Sequence, residues 1–304
     1  MKKLQYYVQS ARLRTLPLSV AGIIMGAMIA ASDSHWSTAT FVWGLLTALS
    51  LQIISNVANE LGDLQKGTDN ENRLGPIRSV QSGKLTPQNL KGMLAVCIAI
   101  AMFSGLMLVV VSFHSLTSFY SLLMLFTGAL AIVAAVKYTF GVKAYGYVGL
   151  GDVFVFIFFG LVSVLGMYFL LAGTFSPEVL LPASSIGFLS TAMLNQNNMR
   201  DIDNDKNFQK KTLAVRMGLN AAKTYHLVII VLAFILMTSY CFIEKKGIFG
   251  YLYLISLPVF VHHLIYVLKN DGKSLDKHMK VIAAGTMLFA VSAGVGMILE
   301  QHMG

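Results

Sequence analysis

Two short stretches of this chain carry residues able to do chemistry together. The first reads Asn59-Glu60-Leu61-Gly62-Asp63, followed by Asp69; the second is Asp201-Ile202-Asp203-Asn204-Asp205. On a helix, Asn59 and Asp63 share a face, as do Asp201 and Asp205, while Asp203 points elsewhere. Like charges at that spacing repel, and more so near a low-dielectric boundary, so a cation is expected to hold them. Oxygen side chains facing each other across a bundle suit a hard divalent ion, and magnesium fits best because it takes one or two carboxylates and completes its shell from water and phosphate. Around the acids lie Lys66, Arg73, Arg78, Lys84, Arg200, Lys206, Lys210, Lys211 and Arg216. Such a mixture of carboxylates, ammonium groups and forked guanidinium groups is what a diphosphate requires. Each cluster directly follows a long apolar run, which implies a phosphorylated amphiphile.

The elements that position these clusters are membrane helices. Of 304 residues, 56% are hydrophobic and 12% charged, about half the charged fraction of an ordinary soluble domain. Nine apolar runs are long enough to cross a hydrocarbon core as helix. The spacing predicts spans at 16–32, 38–58, 90–112, 115–137, 149–172, 177–199, 221–243, 247–269 and 281–299. Only helices satisfy their own backbone in lipid by themselves, so the expected fold is all-α: one domain over 1–304, a nine-helix bundle around a central cavity that opens to the cytoplasmic side. No small-residue cleavage site follows the polar start MKKLQYYVQSARLRTLP, so the first helix is expected to stay.

Charge asymmetry orients the bundle. With the N-terminus inside, 21 of the 23 Lys and Arg residues fall on the cytoplasmic side, leaving only Lys245 and Lys246 outside. Basic residues near helix ends favour that face, so the net charge of +9 reads as membrane orientation rather than nucleic-acid binding. By this topology both acidic clusters are cytoplasmic, in what is most simply a bacterial inner membrane. Cys97 and Cys241 lie inside apolar runs and read as small hydrophobes. His262 and His263 read as packing residues, and Gly22 and Gly26 as a close helix contact.

Taken together, the motifs resemble the UbiA-type superfamily of intramembrane aromatic prenyltransferases, which have nine helices and aspartate-rich motifs after helices 2 and 6. Within it, ARLRTLP at 11–17, the Gly67–Asp69 pair, RLGPIRSVQSG at 73–83, YGYVGLGD at 145–152, NNMRDIDND at 197–205 and KKTLAVRMG at 210–218 are most similar to the branch that prenylates 1,4-dihydroxy-2-naphthoate. One departure is Glu60, where the superfamily usually has aspartate. The longer carboxylate is not expected to bind metal directly.

The resemblance implies a magnesium-dependent transferase. Asn59, Asp63, Asp69, Asp201 and Asp205 would hold Mg2+ on a polyprenyl diphosphate, and the polyprenyl group would pass to the naphthoate with decarboxylation, giving demethylmenaquinol in menaquinone biosynthesis. Positive charge placed in advance for the departing diphosphate is the role open to Lys66, Arg73, Arg78, Lys137 and Lys211. By resemblance, Tyr138 also touches the diphosphate, and Arg14 faces the acceptor carboxylate. The 145–152 block is either a glycine turn with Asp152 as an N-cap or, through Tyr147 and Asp152, a loop that contacts the acceptor. The expected partners are therefore the polyprenyl diphosphate, the naphthoate and membrane lipid. A superfamily member using 4-hydroxybenzoate would differ in the 73–83 and 145–152 blocks. A transporter would place its acids near the bilayer midplane on broken helices.

Overall fold

In the computed structural model, residues 2–71, 73–141 and 144–303 are described; Lys143 and the side chains of Lys2 and Lys3, counted above, lie outside the described residues. Among the described residues the chain is helical, with no strand and nine segments long and apolar enough to span a membrane. A short amphipathic helix α1 (Lys2–Ala11) leads into α2 (Leu16–Ser32), α3 (Thr38–Gln65), α4 (Pro87–Phe113) and α5 (Phe119–Lys137). The fifth span, Gly151–Ala172, consists of α6 (Gly151–Val155), a π-helical stretch over Phe156–Val162 and α7 (Ser163–Ala172). Next come α8 (Leu180–Arg200), the short α9 (Ile202–Asn207) and α10 (Leu213–Met217), and then α11 (Leu219–Ile243), α12 (Leu257–Lys269) and α13 (Met279–Met303). Short 3₁₀ turns at Ile248–Ser256 and Gly272–His278 lengthen the last two spans.

Helix starts follow local chemistry. Thr86 accepts from the Asn89 backbone N–H while the Asn89 side chain accepts from the Thr86 N–H, and Pro87 stands at the first turn, where its missing N–H costs nothing. Ser37, Ser118 and Thr212 cap α3, α5 and α10 in the same way. The nine expected spans are all present, with shifts of a few residues at most ends. Three are clearly longer than expected, and the first begins at Leu4 rather than 16. Helix α3 continues beyond 58 to Gln65, because Asn59, Glu60 and Asp63 all find polar partners where the apolar run stops. The last span begins at Gly272 rather than 281.

The packing forms two groups of spans. Helices α2 to α5 contact one another in sequence, with α3 against both α4 and α5; α8 packs against the fifth span and α11, and α13 closes the ring on α2 and the 248–256 stretch. The largest buried apolar cluster joins α2, α7, α8, α11 and α13, around Met25, Ile29, Ile186, Phe289 and Met297. A second cluster lies between α3 and α4. Close approach depends on glycine: a Cβ on Gly26 would sit 2.3 Å from the Val164 carbonyl oxygen, and one on Gly160 would sit 2.5 Å from the Gly187 Cα. Gly22 serves the same contact, against Ser163 and Phe159.

Gly62 is the glycine that matters for the site. A Cβ there would lie 2.4 Å from the Thr139 carbonyl, so α3 can pass against the Thr139–Phe140 backbone only without a side chain. Gly62→Ala is expected to cost about 1–3 kcal/mol by overpacking, read as a lower unfolding temperature in detergent. Gly92→Ala, whose Cβ meets nothing within 4 Å, should raise that temperature slightly, since alanine favours the helix. Equal stability of the two variants would disprove the role given to Gly62.

Candidate functional site

At one end of the bundle, the two acidic clusters and their basic neighbours converge. Helix α3 presents Asn59 and Asp63 on one buried face, and the i, i+4 register predicted from the sequence holds. Asn59 Oδ1 accepts from Arg12 Nη2 (2.5 Å) and Arg78 Nη2 (3.1 Å). Asp63 Oδ1 accepts from the Tyr147 hydroxyl at 2.8 Å and from Lys210 Nζ at 3.4 Å. Glu60 turns away from this group: its carboxylate accepts from Ser79 Oγ (2.5 Å) and the Val80 N–H (3.1 Å). It therefore anchors the 73–83 loop, as its extra length allows.

The chain after α3 folds back over the helix end. Gly67, at φ +72°, makes the turn, and Asp69 returns to pair with Arg73 Nε at 3.1 Å and Arg78 Nε at 3.2–3.3 Å. Asp69 Oδ2, though buried and close to Arg78, lacks the alignment of a hydrogen bond.

The second cluster caps α8. Asp201 ends that helix and Asp205 follows in α9, with the Asp205 N–H donating to the Asp201 carbonyl at 2.8 Å, so both side chains lie buried on one face. Asp203 is exposed, as its register requires. Arg200 holds Asp201 through Nε (3.1 Å) and Nη2 (2.5 Å), and reaches Asp276 through Nη1 at 2.5 Å. Arg14 meets the same Asp276 at 3.0 Å. Asn204 joins the clusters: its Nδ2 donates to the Thr68 carbonyl at 2.9 Å and its Oδ1 accepts from Asn70 at 3.1 Å. Lys210 Nζ stands between them, 3.4 Å from Asp63 and 3.8 Å from Asp205.

Burial makes these charges interdependent. Burial would push the Asp201 carboxyl up, but Arg200 outweighs it and holds the group below the usual carboxylate range. Asp205 has no such partner: burial, reinforced by Asp201 and Asp63 and only partly offset by Lys210, pushes it up to about 7. Burial opposes charge on Lys210 too, yet Asp63 and Asp205 keep its ammonium above the ordinary lysine value. Arg73 falls to about 10, through burial and then the proximity of Arg78. The Tyr138 phenol is raised by burial first and then by Asp152, Asp63 and Asp205, so it stays protonated.

Beside this charged floor opens a cavity of ≈ 660 Å³ among the first six spans. Its polar end carries Arg12, Arg14, Asn59, Tyr138 and Asn197; its walls are apolar, from Leu18 and Leu51 to Phe158 and Phe175. Three aromatic rings line one side of the polar end. Tyr138 and Tyr145 have centroids 5.5 Å apart, and Tyr145 stacks on Phe154 at 3.9 Å.

Several of the expected site side chains lie outside the buried network of paired charges. Lys211 is exposed, using its backbone N–H on the Tyr147 carbonyl; the adjacent Lys210 is the buried cation. Lys137 is exposed beside Gly141, and neither it nor Lys211 pairs with an acid among the described residues. Tyr147, expected at the acceptor, lies beneath the carboxylates, bonded to Asp63 and Thr68 with Lys66 Nζ 3.5 Å above its ring. Tyr138 is the residue that lines the cavity. Asp152 is buried, with Oδ1 unpartnered. Asp276, in the turn before α13, was not among the residues expected at the site, yet it meets Arg14 and Arg200. Arg12 and Asn204 were missed as well; only folding reveals them, because their partners lie 47 and 136 residues away.

The donor set is all hard oxygen, which suits Mg2+ rather than a softer ion. Among the described residues no three acidic, His or Cys side chains converge enough to hold an ion alone, so the five expected ligands do not form one cage. Instead Arg200 pairs with Asp201, Arg73 and Arg78 with Asp69, and Lys210 is shared by Asp63 and Asp205, which offsets their mutual repulsion. This still fits magnesium, which needs only one or two carboxylates from the protein when phosphate oxygens supply the rest.

Comparison with known proteins agrees with this architecture. A model of the UbiA prenyltransferase family matches residues 19–289. The chain is 37% identical over 302 residues to the 1,4-dihydroxy-2-naphthoate octaprenyltransferase of Escherichia coli strain K12, covering 99% of this chain and 97% of that protein. Among solved structures, the apo form of a UbiA homolog from Aeropyrum pernix K1 superposes with a TM-score of 0.70 at 15% identity, covering 91% of this chain and 96% of that one. A UbiA homolog from Archaeoglobus fulgidus bound to GPP and Mg2+ gives 0.60 at 16%, covering 96% and 99%. At such identities the two structures establish the fold.

Proposed function

Because this chain belongs to the UbiA prenyltransferase family, we propose that it transfers an all-trans polyprenyl group from its diphosphate to 1,4-dihydroxy-2-naphthoate, with loss of carbon dioxide. The product is demethylmenaquinol, in menaquinone biosynthesis. The observation that carries this reading is the opening of one long apolar cavity beside two interlocked acidic and basic clusters. A diphosphate head sits on the charged floor while its tail stays among apolar side chains. The 37% identity with the naphthoate octaprenyltransferase over 99% of this chain supports the choice of acceptor.

The chain's own residues divide the work. Arg12, Arg73, Arg78 and Lys210 stand charged and held in place before the substrate arrives, so negative charge developing on the departing diphosphate meets an environment that need not reorganise. Asp63, Asp69, Asp201 and Asp205, with Asn59, would hold Mg2+ on the diphosphate; when bound, that ion supplies Lewis-acid stabilisation of the leaving group. As the allylic C–O bond breaks, the apolar walls keep water from the developing cation. The faces of Tyr138 and Tyr145 stabilise it as cation–π partners. The electron-rich ring attacks at its carboxyl-bearing carbon, and the electron pair of the departing carboxyl group restores aromaticity. Arg14 lines the cavity with part of its guanidinium exposed, placed for the acceptor carboxylate. In the cell, the charged end faces the cytoplasm.

Purified protein in detergent, given magnesium, a polyprenyl diphosphate and 1,4-dihydroxy-2-naphthoate, is expected to yield the prenylated, decarboxylated quinol, and a chelator should stop it. Prenylation of 4-hydroxybenzoate in place of the naphthoate would overturn the acceptor assignment. Full turnover in the chelator would overturn the magnesium role.

A further inference from the structure

The helical glycines fall into two groups, and only one serves packing. A Cβ on Gly22, Gly26, Gly62, Gly160 or Gly187 would strike a neighbouring backbone or side chain closer than 3 Å. Gly128 and Gly166 differ: a Cβ on either meets nothing within 4 Å, and one on Gly105 meets only the Thr47 methyl at 3.8 Å. All three line the cavity. Glycine within a helix costs up to about 1 kcal/mol relative to alanine, and here no helix contact offsets that cost. What their missing side chains provide is cavity width.

These glycines also lie at successive depths. Gly128 is near the middle of α5, about 13 Å by helix rise from Lys137 at the charged end. Gly105 faces Thr47, about 18 Å along α3 from Asn59. Gly166 precedes Met167, whose Sδ would meet a Cβ on Gly44 at 2.8 Å, about 22 Å along α3 from Asn59. The flanking helices α5 and α7 touch only lightly, and their contact at the far end includes the Tyr120–Phe169 ring pair, with centroids 5.2 Å apart. Along this path Gly128, Gly105 and Gly166 leave successive gaps in the wall, whereas the gap at the fourth lining glycine, Gly44, is filled by Met167.

We propose that Gly128, Gly105 and Gly166 set how long a prenyl chain the cavity accepts, by keeping it open at increasing distance from the diphosphate floor. This rests on the prenyl-transfer reading. A side chain at Gly128 blocks the path early, whereas one at Gly166 blocks it only for a long donor. Gly92 provides the contrast, since its Cβ also meets nothing but the residue is exposed at the start of α4 and does not line the cavity.

The test compares geranyl, geranylgeranyl and octaprenyl diphosphates as donors to the naphthoate. Wild-type protein and the Gly92→Leu variant should share one profile. Gly166→Leu is expected to keep geranyl transfer and lose octaprenyl transfer by roughly tenfold or more, in line with what a misfit apolar group costs in a pocket. Gly128→Leu should reduce geranylgeranyl transfer as well. Each profile is a ratio within one preparation, so it does not depend on yield. Gly128→Ala and Gly166→Ala, with smaller shifts in the same direction, keep the test decisive if a leucine variant does not fold. Wild-type ratios in every variant would overturn the inference while leaving prenyl transfer intact. No transfer by wild-type protein from any donor would remove both.

Discussion

Asp63→Asn and Asp201→Asn are each expected to lower prenyl transfer by roughly a thousandfold or more, while the protein still purifies as a folded species. Both changes keep shape and remove charge. At Asp63 the amide oxygen can still accept from Tyr147, which lies 2.8 Å away, and Lys210 retains Asp205. What disappears is one of the few carboxylates able to share a divalent ion with the diphosphate. Asp203→Asn is the control, since Asp203 is exposed and off the shared face; it should stay within about twofold, as a surface change away from special contacts does. Turnover measured with the naphthoate and a polyprenyl donor decides it. If both Asp63→Asn and Asp201→Asn keep more than a tenth of wild-type activity, the carboxylates do not hold the leaving group.

Arg200→Leu should be the most destabilising single change in the charged floor. The Arg200 side chain is wholly buried and bonds Asp201, Asp276 and Asn197 at once. Its removal leaves Asp201, among the described residues, with the more distant Arg73, 3.9 Å away, as its ion-pair partner. Breaking a buried pair from one side costs about 3–5 kcal/mol, because the remaining charge stays buried without a partner. A markedly lower unfolding temperature in detergent is the expected result. Arg200→Lys should recover little, since one ammonium cannot span three acceptors that a planar fork reaches together. Lys206→Leu, at an exposed position in the same segment, should change stability by no more than about 0.5 kcal/mol. An Arg200→Leu protein that melts with wild type would show that the Arg200 network contributes nothing to folding.

Much of this arrangement was legible before folding, for reasons specific to membranes. A backbone in lipid must bond to itself, so long apolar runs become helices with few alternatives, and all nine appeared. The face-sharing of Asn59 with Asp63 followed from helical spacing alone. The same reasoning separated Asp203 from Asp201 and Asp205. Glu60 stands apart from the other acids, bonded to Ser79 and Val80, partners that local spacing does not name.

Local spacing was silent wherever two distant segments had to meet. Nothing near Lys210 and Lys211 indicates which ammonium turns inward; the choice is made by the Lys211 N–H bonding the Tyr147 carbonyl, which leaves Lys210 facing Asp63 and Asp205. Spacing was equally silent on the two tyrosines, of which Tyr138 lines the cavity and Tyr147 bonds Asp63 and Thr68.

By itself, then, the sequence determined an all-α membrane bundle with two acidic clusters, each with basic neighbours, at one end, because helix periodicity and the exclusion of water act over a few residues. Only the tertiary structure decided which cation pairs with which carboxylate, which tyrosine lines the cavity and that Asp276 reaches back to Arg14 and Arg200. Those outcomes depend on contacts between segments up to 262 residues apart, and Coulomb energies that steep at short range are set by the final few ångströms of packing.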